Sequence, residues 1–192
     1  MNITRRSLVG AGLLLLSCRR AASLPKLGQV PSFALKNQDD KPYGAHELWG
    51  QVWICAFMFT RCPTICPRIT RRMRALQLRA RQLGIPVRWV SISVDPDNDS
   101  PSVLAEYARR FGADLSNWTF LTGDFSTIQR TAVDGFKMAL DGRADAKAEN
   151  YGIVHGSHLV LVDSVGEIRG YYRTEDEPDG ERLLQDARSI VP

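Results

Sequence analysis

Phe57-Met58-Phe59-Thr60-Arg61-Cys62-Pro63-Thr64-Ile65-Cys66-Pro67 is the stretch that decides how this chain is read. It follows Val52–Phe59, a continuous apolar run suited to a strand buried on both faces. A helical pattern begins at Cys66, so the two cysteines stand where a buried strand hands over to a helix. A helix start offers unpaired backbone N–H groups and the positive end of the macrodipole, and both favour thiolate over thiol. Residues i and i+4 share a helix face, so the spacing predicts two soft sulfurs pointing the same way. They would be close enough to share a metal or to close a disulfide. The spacing is C-x-x-x-C, one residue longer than the C-x-x-C of most dithiol oxidoreductases, and the extra residue points to metal handling.

Outward from this turn, strands and helices alternate. Phe33–Leu35 reads as a short strand and Asn37–Lys41 as a turn. Residues 66–83 read as a helix with Ile69, Met73, Leu76, Ala80 and Leu83 as its apolar stripe. Arg68, Arg71, Arg72, Arg74, Arg79 and Arg81 fill much of the rest, with no acid among them. Val87–Val94 is the next strand. Ser100-Pro101 opens a helix with a capping hydroxyl and a proline at its first position, and Gly112 stops it. Trp118–Leu121 is a strand, Asp124 caps a helix to about Val133, and His158–Asp163 with Glu167–Arg173 form a hairpin. A last helix opens at Pro178 or Asp179 and runs to about Ser189. This order predicts an α/β, thioredoxin-like fold: a central mixed sheet flanked by helices, ending in a hairpin and a helix. Such a sheet presents the strand-to-helix turn at its carboxyl edge, where ligands bind.

Composition narrows the function. The chain has 192 residues, is 44% hydrophobic and carries a formal charge of +4, enough for one packed domain. No basic-aromatic interleaving or motif points to nucleic acid. Four cysteines, Cys18, Cys55, Cys62 and Cys66, are too few for a stapled mini-protein. Residues 1–17 read as an export signal: Arg5-Arg6 precedes the apolar run Leu8–Leu16, which falls short of the ~20 residues that span a bilayer. Thr4-Arg5-Arg6-Ser7-Leu8 resembles a twin-arginine signal, and Leu15-Leu16-Ser17-Cys18 resembles a lipobox. The expected division is an export signal over 1–17, a tether over 18–28 beginning at a lipidated Cys18, and one domain over 29–192. An ordinary cleaved signal, or an uncleaved short anchor with Cys18 incidental, is the competing reading.

Four stretches together resemble the Sco/SenC family: the Phe57–Pro67 motif, Ser93-Val94-Asp95-Pro96-Asp97-Asn98-Asp99-Ser100-Pro101, Tyr107 to Gly112 followed by Trp118–Gly123, and His155-Gly156-Ser157-His158 through Gly166. The resemblance runs from about Phe33 to the last helix with all motifs in order. It implies a thioredoxin-like domain held outside the cytoplasmic membrane, in the periplasm of a bacterium. It implies copper, as Cu(I) or Cu(II), bound by Cys62, Cys66 and His155, in service of assembling the copper centre of cytochrome c oxidase. The implied partners are the copper-bearing oxidase subunit, a thioredoxin-like reductant that keeps Cys62 and Cys66 out of their disulfide, and the membrane through a lipid anchor. Two thiolates and one imidazole form a three-coordinate set suited to copper, with room for an incoming ligand. The match also makes Asp95 or Asp99 a helix cap or a group beside the copper ligands; a solvated acidic turn is the competing reading.

A different class of function uses the same sulfurs: a thiol–disulfide oxidoreductase that reduces the oxidase subunit's cysteines. Thioredoxin-type reductases carry a proline in the loop before the hairpin. This chain has none between Pro101 and Pro178, and His155 occupies about that region. Thr60-Arg61-Cys62 is one residue short of a peroxidatic Thr-x-x-Cys. Asp95, Asp97, Asp99 and Glu106 mimic a calcium loop in spacing, but Ser100 stands where that loop needs glycine. Cys55, in a buried strand, reads as a small hydrophobe. His158 reads as structural and as the alternative ligand, and His46 as a surface loop residue. The arginine face of the cysteine helix reads first as a solvated face.

Overall fold

The computed structural model describes residues 23–141, 154–155 and 157–192, with residues 141, 154 and 155 described by backbone alone. In chain order its elements are β1 (Gly28–Gln29), β2 (Ala34–Asn37), β3 (Pro42–Gly44), a 3-10 turn (Ala45–Leu48), β4 (Val52–Met58), α1 (Ile65–Gln82), β5 (Val87–Ser93) and α2 (Pro101–Arg110). There follow β6 (Trp118–Thr122), α3 (Phe125–Arg130), a π-helical turn (Thr131–Gly135), β7 (Leu140–Asp141), β8 (Val154–His155), β9 (His158–Val162), β10 (Glu167–Arg173) and α4 (Glu177–Ile190). One sheet has the order β1-β10-β9-β4-β5-β6-β2-β3, and β7 and β8 pair separately. β4, β5 and β6 are parallel, and β9 joins β4 antiparallel. This is the expected mixed, thioredoxin-like arrangement.

The centre of the sheet explains itself from sequence. Every residue of β4 is buried, as the unbroken apolar run requires of a strand covered on both faces. Alternation puts Trp53, Cys55 and Phe57 on one face, where Trp53 and Phe57 meet the Phe136 ring edge-on at 5.8 and 5.3 Å. Gly135 beside that ring admits no side chain: a Cβ there would stand 2.4 Å from Pro31 Cδ. On the other face Ser91 Oγ reaches the Met73 sulfur of α1 at 3.9 Å and accepts from Trp118 Nε1 at 3.0 Å. Ile69, Met73, Leu76 and Ala80 form the buried stripe of α1, while Leu83 lies past the helix end and is 36% exposed. Ser100 caps α2 by accepting from Val103 N, and Asp124 caps α3 by accepting from Thr127 N.

Two expectations need correction. Residues 24–28 are not a free tether. Leu27 N donates to Ile168 O, Gly28 pairs with Ile168, and Arg169 donates to the carbonyls of Leu24 and Pro25. The domain therefore begins before Gln29, because β10 would otherwise leave an unpaired edge. The second correction concerns Cys62, which lies in the turn before α1 and not on the helix. Cys18 and the rest of 1–22 lie outside the described residues.

Candidate metal centre

The chain leaves β4 at Met58 and reaches α1 at Ile65, so Cys62 and Cys66 sit at the carboxyl edge of the parallel strands. The turn is tied back on itself: Cys62 N donates to Phe59 O at 3.4 Å, and Phe59 N donates to Cys66 Sγ at 3.5 Å. Thr64 is the residue ahead of α1, yet its side chain makes no cap. The Cys62 sulfur takes that office and accepts from Cys66 N at 3.4 Å. A free N–H of the first helical turn is thus satisfied by a sulfur. The two sulfurs also hydrogen-bond to each other.

These contacts split the pair chemically. Burial pushes the Cys62 thiol up, but the backbone N–H groups of Cys66, Thr64 and Ile65 and the Cys66 thiol outweigh it, and the net shift is downward. Cys66 is fully buried and moves well up, driven first by burial and further by the neighbouring Cys62 and Asp99 charges. The helix start therefore does not act equally on the two sulfurs: backbone N–H groups serve Cys62, and desolvation governs Cys66. Burial likewise pushes Cys55 far up. It lies on the sheet face away from α1, and all three described cysteines are free thiols.

The two aspartates hold the turn from behind. Asp99 accepts from Thr60 N at 3.0 Å, from Thr60 Oγ1, and from Ser93 Oγ at 2.6 Å. Burial raises its pKa, against those same hydrogen bonds. Asp95 pairs with Arg61 at 3.0 Å and accepts from Asn98 Nδ2 at 2.8 Å. Both are buried, so neither belongs to a solvated acidic turn, and α2 is capped by Ser100 and not by either of them. They act through Thr60 and Arg61, the residues just ahead of Cys62. Deeper in, Thr70 Oγ1 donates to Cys66 O at 2.9 Å and lies 2.8 Å from Tyr107 Oη. Sequence reasoning quoted Thr60, Arg61, Ser93 and Tyr107 only as parts of motifs and gave Thr70 no role. A hydroxyl one turn after a helical cysteine was the available signal for Thr70.

Histidine placement is uneven. His155 stands on β8, its backbone opposite Leu140 of β7; its side chain lies outside the described residues. β9 runs antiparallel to β4, so the chain ahead of His158 reaches the end of the sheet where β4 delivers the cysteine turn. His158 is half-buried at the start of β9, opposite Arg173. His46 is exposed, 3.2 Å from Glu47. Among the described residues no three His, Cys, Asp or Glu side chains converge on one point. The described donors are therefore two adjacent sulfurs of unequal acidity, a soft pair that suits copper. Among the described residues, no helix is long and apolar enough to cross a membrane.

Comparison with known proteins agrees with this geometry. Residues 22–191 match the SCO1/SenC family pattern. A SCO1/SenC family lipoprotein from Bacillus anthracis str. Ames is 35% identical, with a TM-score of 0.79 over 86% of this chain and 96% of its own. BsSco, described as a member of the Sco family of cytochrome c oxidase assembly proteins with a disulfide switch, is 33% identical, with a TM-score of 0.77 over 88% of this chain and 96% of its own. Yeast Sco1 with copper bound has the same fold at 24% identity, with a TM-score of 0.74 over 88% of this chain and 92% of its own.

Proposed function

From the premise that the chain belongs to the SCO1/SenC family, we propose that it is an exported, membrane-tethered copper chaperone. It binds copper through Cys62, Cys66 and His155 and delivers it to the copper centre of cytochrome c oxidase. The observation that carries this reading is the sulfur pair at the β4–α1 turn: backbone N–H groups of the helix start lower the pKa of one thiol, and the other is hydrogen-bonded to it one helical turn on. A bound cation lowers the cost of deprotonating the second thiol. Thr60, Asp99, Arg61 and Asp95 tie the turn to the sheet edge behind it. Transfer proceeds by ligand exchange, with a client ligand entering the three-coordinate set. The tether is lipid on Cys18, supported by Leu15-Leu16-Ser17-Cys18 and by the lipoprotein relative. Tethering raises the effective concentration of chaperone and membrane-bound client.

A second reading has its own support in the unequal thiols. Cys62, 6% exposed, would attack a client disulfide as thiolate, and one client sulfur would leave as thiolate. Cys66, fully buried, would then lose its proton and attack the Cys62 sulfur, releasing the second client thiol. The Cys62–Cys66 disulfide so formed needs an external dithiol, such as a thioredoxin-like protein, for its reduction. Copper titration of the reduced protein separates the two. One equivalent per chain is expected, abolished by Cys62→Ser, strongly weakened by His155→Ala and mildly by His158→Ala. Absence of stoichiometric copper binding would remove the chaperone reading, while disulfide exchange unaffected by His155→Ala would favour the reductase.

A further inference from the structure

Beside the cysteine turn, α1 and α2 flank a groove lined by two arginines and one glutamate. Its lower part, about 460 Å³, is lined by Pro67, Arg71, Arg110 and Phe111. Its upper part, about 190 Å³, reaches Thr60 and shares Arg110. Pro67 directly follows Cys66, so whatever fills the groove lies beside the dithiol. The Arg71 guanidinium sits 5.7 Å from the Phe111 ring centroid and that of Arg110 5.2 Å, and Arg110 lies equally close to the Tyr107 ring. Stacking on ring faces orients the planar heads and leaves their N–H edges free.

Of the other five arginines of α1, four are matched by acids or amides: Arg72 to Glu177 at 2.8 Å, Arg79 to Glu181 at 3.8 Å, Arg81 to Asp114 at 3.6 Å and Arg74 to Gln77 at 3.1 Å; Arg68 does not line the groove. Among the described residues Arg71 and Arg110 make no ion pair. Glu106 of the upper part, four residues before Arg110, makes none either. Two oriented, uncompensated guanidiniums in a concavity are built to receive carboxylates, which match their fork geometry. The concave shape selects a chain segment over a lipid surface, which needs a flat or convex face.

We propose that the α1–α2 groove receives the carboxylate side chains of an acidic polypeptide segment, carried by the protein that exchanges copper or disulfides with Cys62 and Cys66. The partner's role rests on the proposed function above; the charge recognition does not. Such a contact steers encounter and fixes orientation, and it weakens with salt.

The test uses fluorescence anisotropy of a labelled peptide of alternating Glu and Ala, with a Gln-Ala peptide as blank, on the metal-free Cys62→Ser/Cys66→Ser protein. Peptide recognition is thereby read independently of copper. Replacing both groove arginines (Arg71→Gln/Arg110→Gln) is expected to weaken binding about tenfold. The same charge change elsewhere (Arg130→Gln/Arg188→Gln) should cost less than about twofold, the range of surface electrostatics at distance. Arg71→Lys/Arg110→Lys, which keeps charge but loses the fork, should fall between the two. Equal losses in the two Gln variants, or none in the groove variant, would overturn the proposal. So would peptide indifference combined with Arg71- and Arg110-dependent binding to phosphatidylglycerol vesicles, which would make the groove a lipid site. A failed copper titration alongside intact peptide binding would remove the copper reading and leave the groove.

Discussion

The cysteine pair and the histidine proposed to join it on copper stand on parts of the chain that are built by different means. Cys62 and Cys66 belong to a turn between two elements of the main fold. That turn is cross-braced by Phe59, Thr60 and Arg61 and anchored to buried Asp99 and Asp95. His155 stands on a two-residue strand that pairs with β7 and lies outside the eight-stranded sheet. A ladder that short contributes little stability of its own. The sulfurs are thus set by local geometry inside the cooperative core, and His155 belongs to a separate strand pair. Elements with few core contacts open at low free energy, so one half of the site can stay in place while the other is perturbed.

The largest effect separating the halves concerns thiol reactivity. Helix N–H groups lower Cys62, so its alkylation should have a midpoint below the usual thiol value of ~8.5. Burial raises Cys66 and Cys55, and both should stay unmodified while Cys62 reacts. His155→Ala should leave the Cys62 midpoint in place, because the groups that lower it belong to the turn and to α1. Iodoacetamide labelling against pH, read by peptide mass spectrometry, checks both points. A large upward move of Cys62 in the His155 variant would mean that imidazole and thiolate form one unit, and the contrast would fail.

How far the sequence revealed each half follows from the same difference. Val52–Met58 announced itself as a buried strand because seven apolar residues in a row have no other economical placement. Ser100-Pro101 and Asp124 marked helix starts through caps that the structure contains. The dithiol was legible from spacing alone, since both sulfurs lie within one turn of chain. Their inequality was not legible, because it depends on burial that only the packed helix supplies. Asp95 and Asp99 could be seen as a motif. Ser93 lies in the same motif, but their partners Arg61 and Thr60 come from a segment remote in sequence, and periodicity says nothing about which donors meet. β1, β3, β7 and β8 are too short to carry a periodic signal, and β1 straddles the end of the expected tether.

A middle-sized effect is expected at Asp99. Asp99→Ala removes the acceptor of Thr60 N, Thr60 Oγ1 and Ser93 Oγ, leaving buried donors unmatched at a cost of about 3 kcal/mol. His155→Ala, on a two-residue strand outside the main sheet, should change stability by less than about 0.5 kcal/mol. Urea midpoints of the two metal-free variants make the comparison; equal losses would place both halves in one cooperative unit. The pH dependence has a definite sign. The folded pKa of Asp99 is raised above the unfolded value of ~3.9, chiefly by burial. Its protonation-linked contribution is therefore complete below that unfolded value and lost as pH rises through the folded one. Asp99→Asn should flatten this part of the stability profile.

The smallest effect should come from the far end of the cysteine support. Tyr107 Oη donates to Thr70 Oγ1, which in turn donates to the Cys66 carbonyl. Tyr107→Phe removes only the outer link. Thr70 keeps its bond to Cys66, and the ring keeps its packing against Phe111 and Phe120. The expected loss is that of one neutral hydrogen bond, about 1 kcal/mol, with copper stoichiometry and Cys62 alkylation unchanged. The gradient from Asp99 to Tyr107 then measures how steeply support declines with distance from the sulfurs. If Tyr107→Phe destabilised as much as Asp99→Ala in urea, the hydroxyl chain through α1 and α2 would be the principal brace. The cysteine half would then extend well beyond its turn, and the contrast with the histidine half would have to be redrawn between helices and strands.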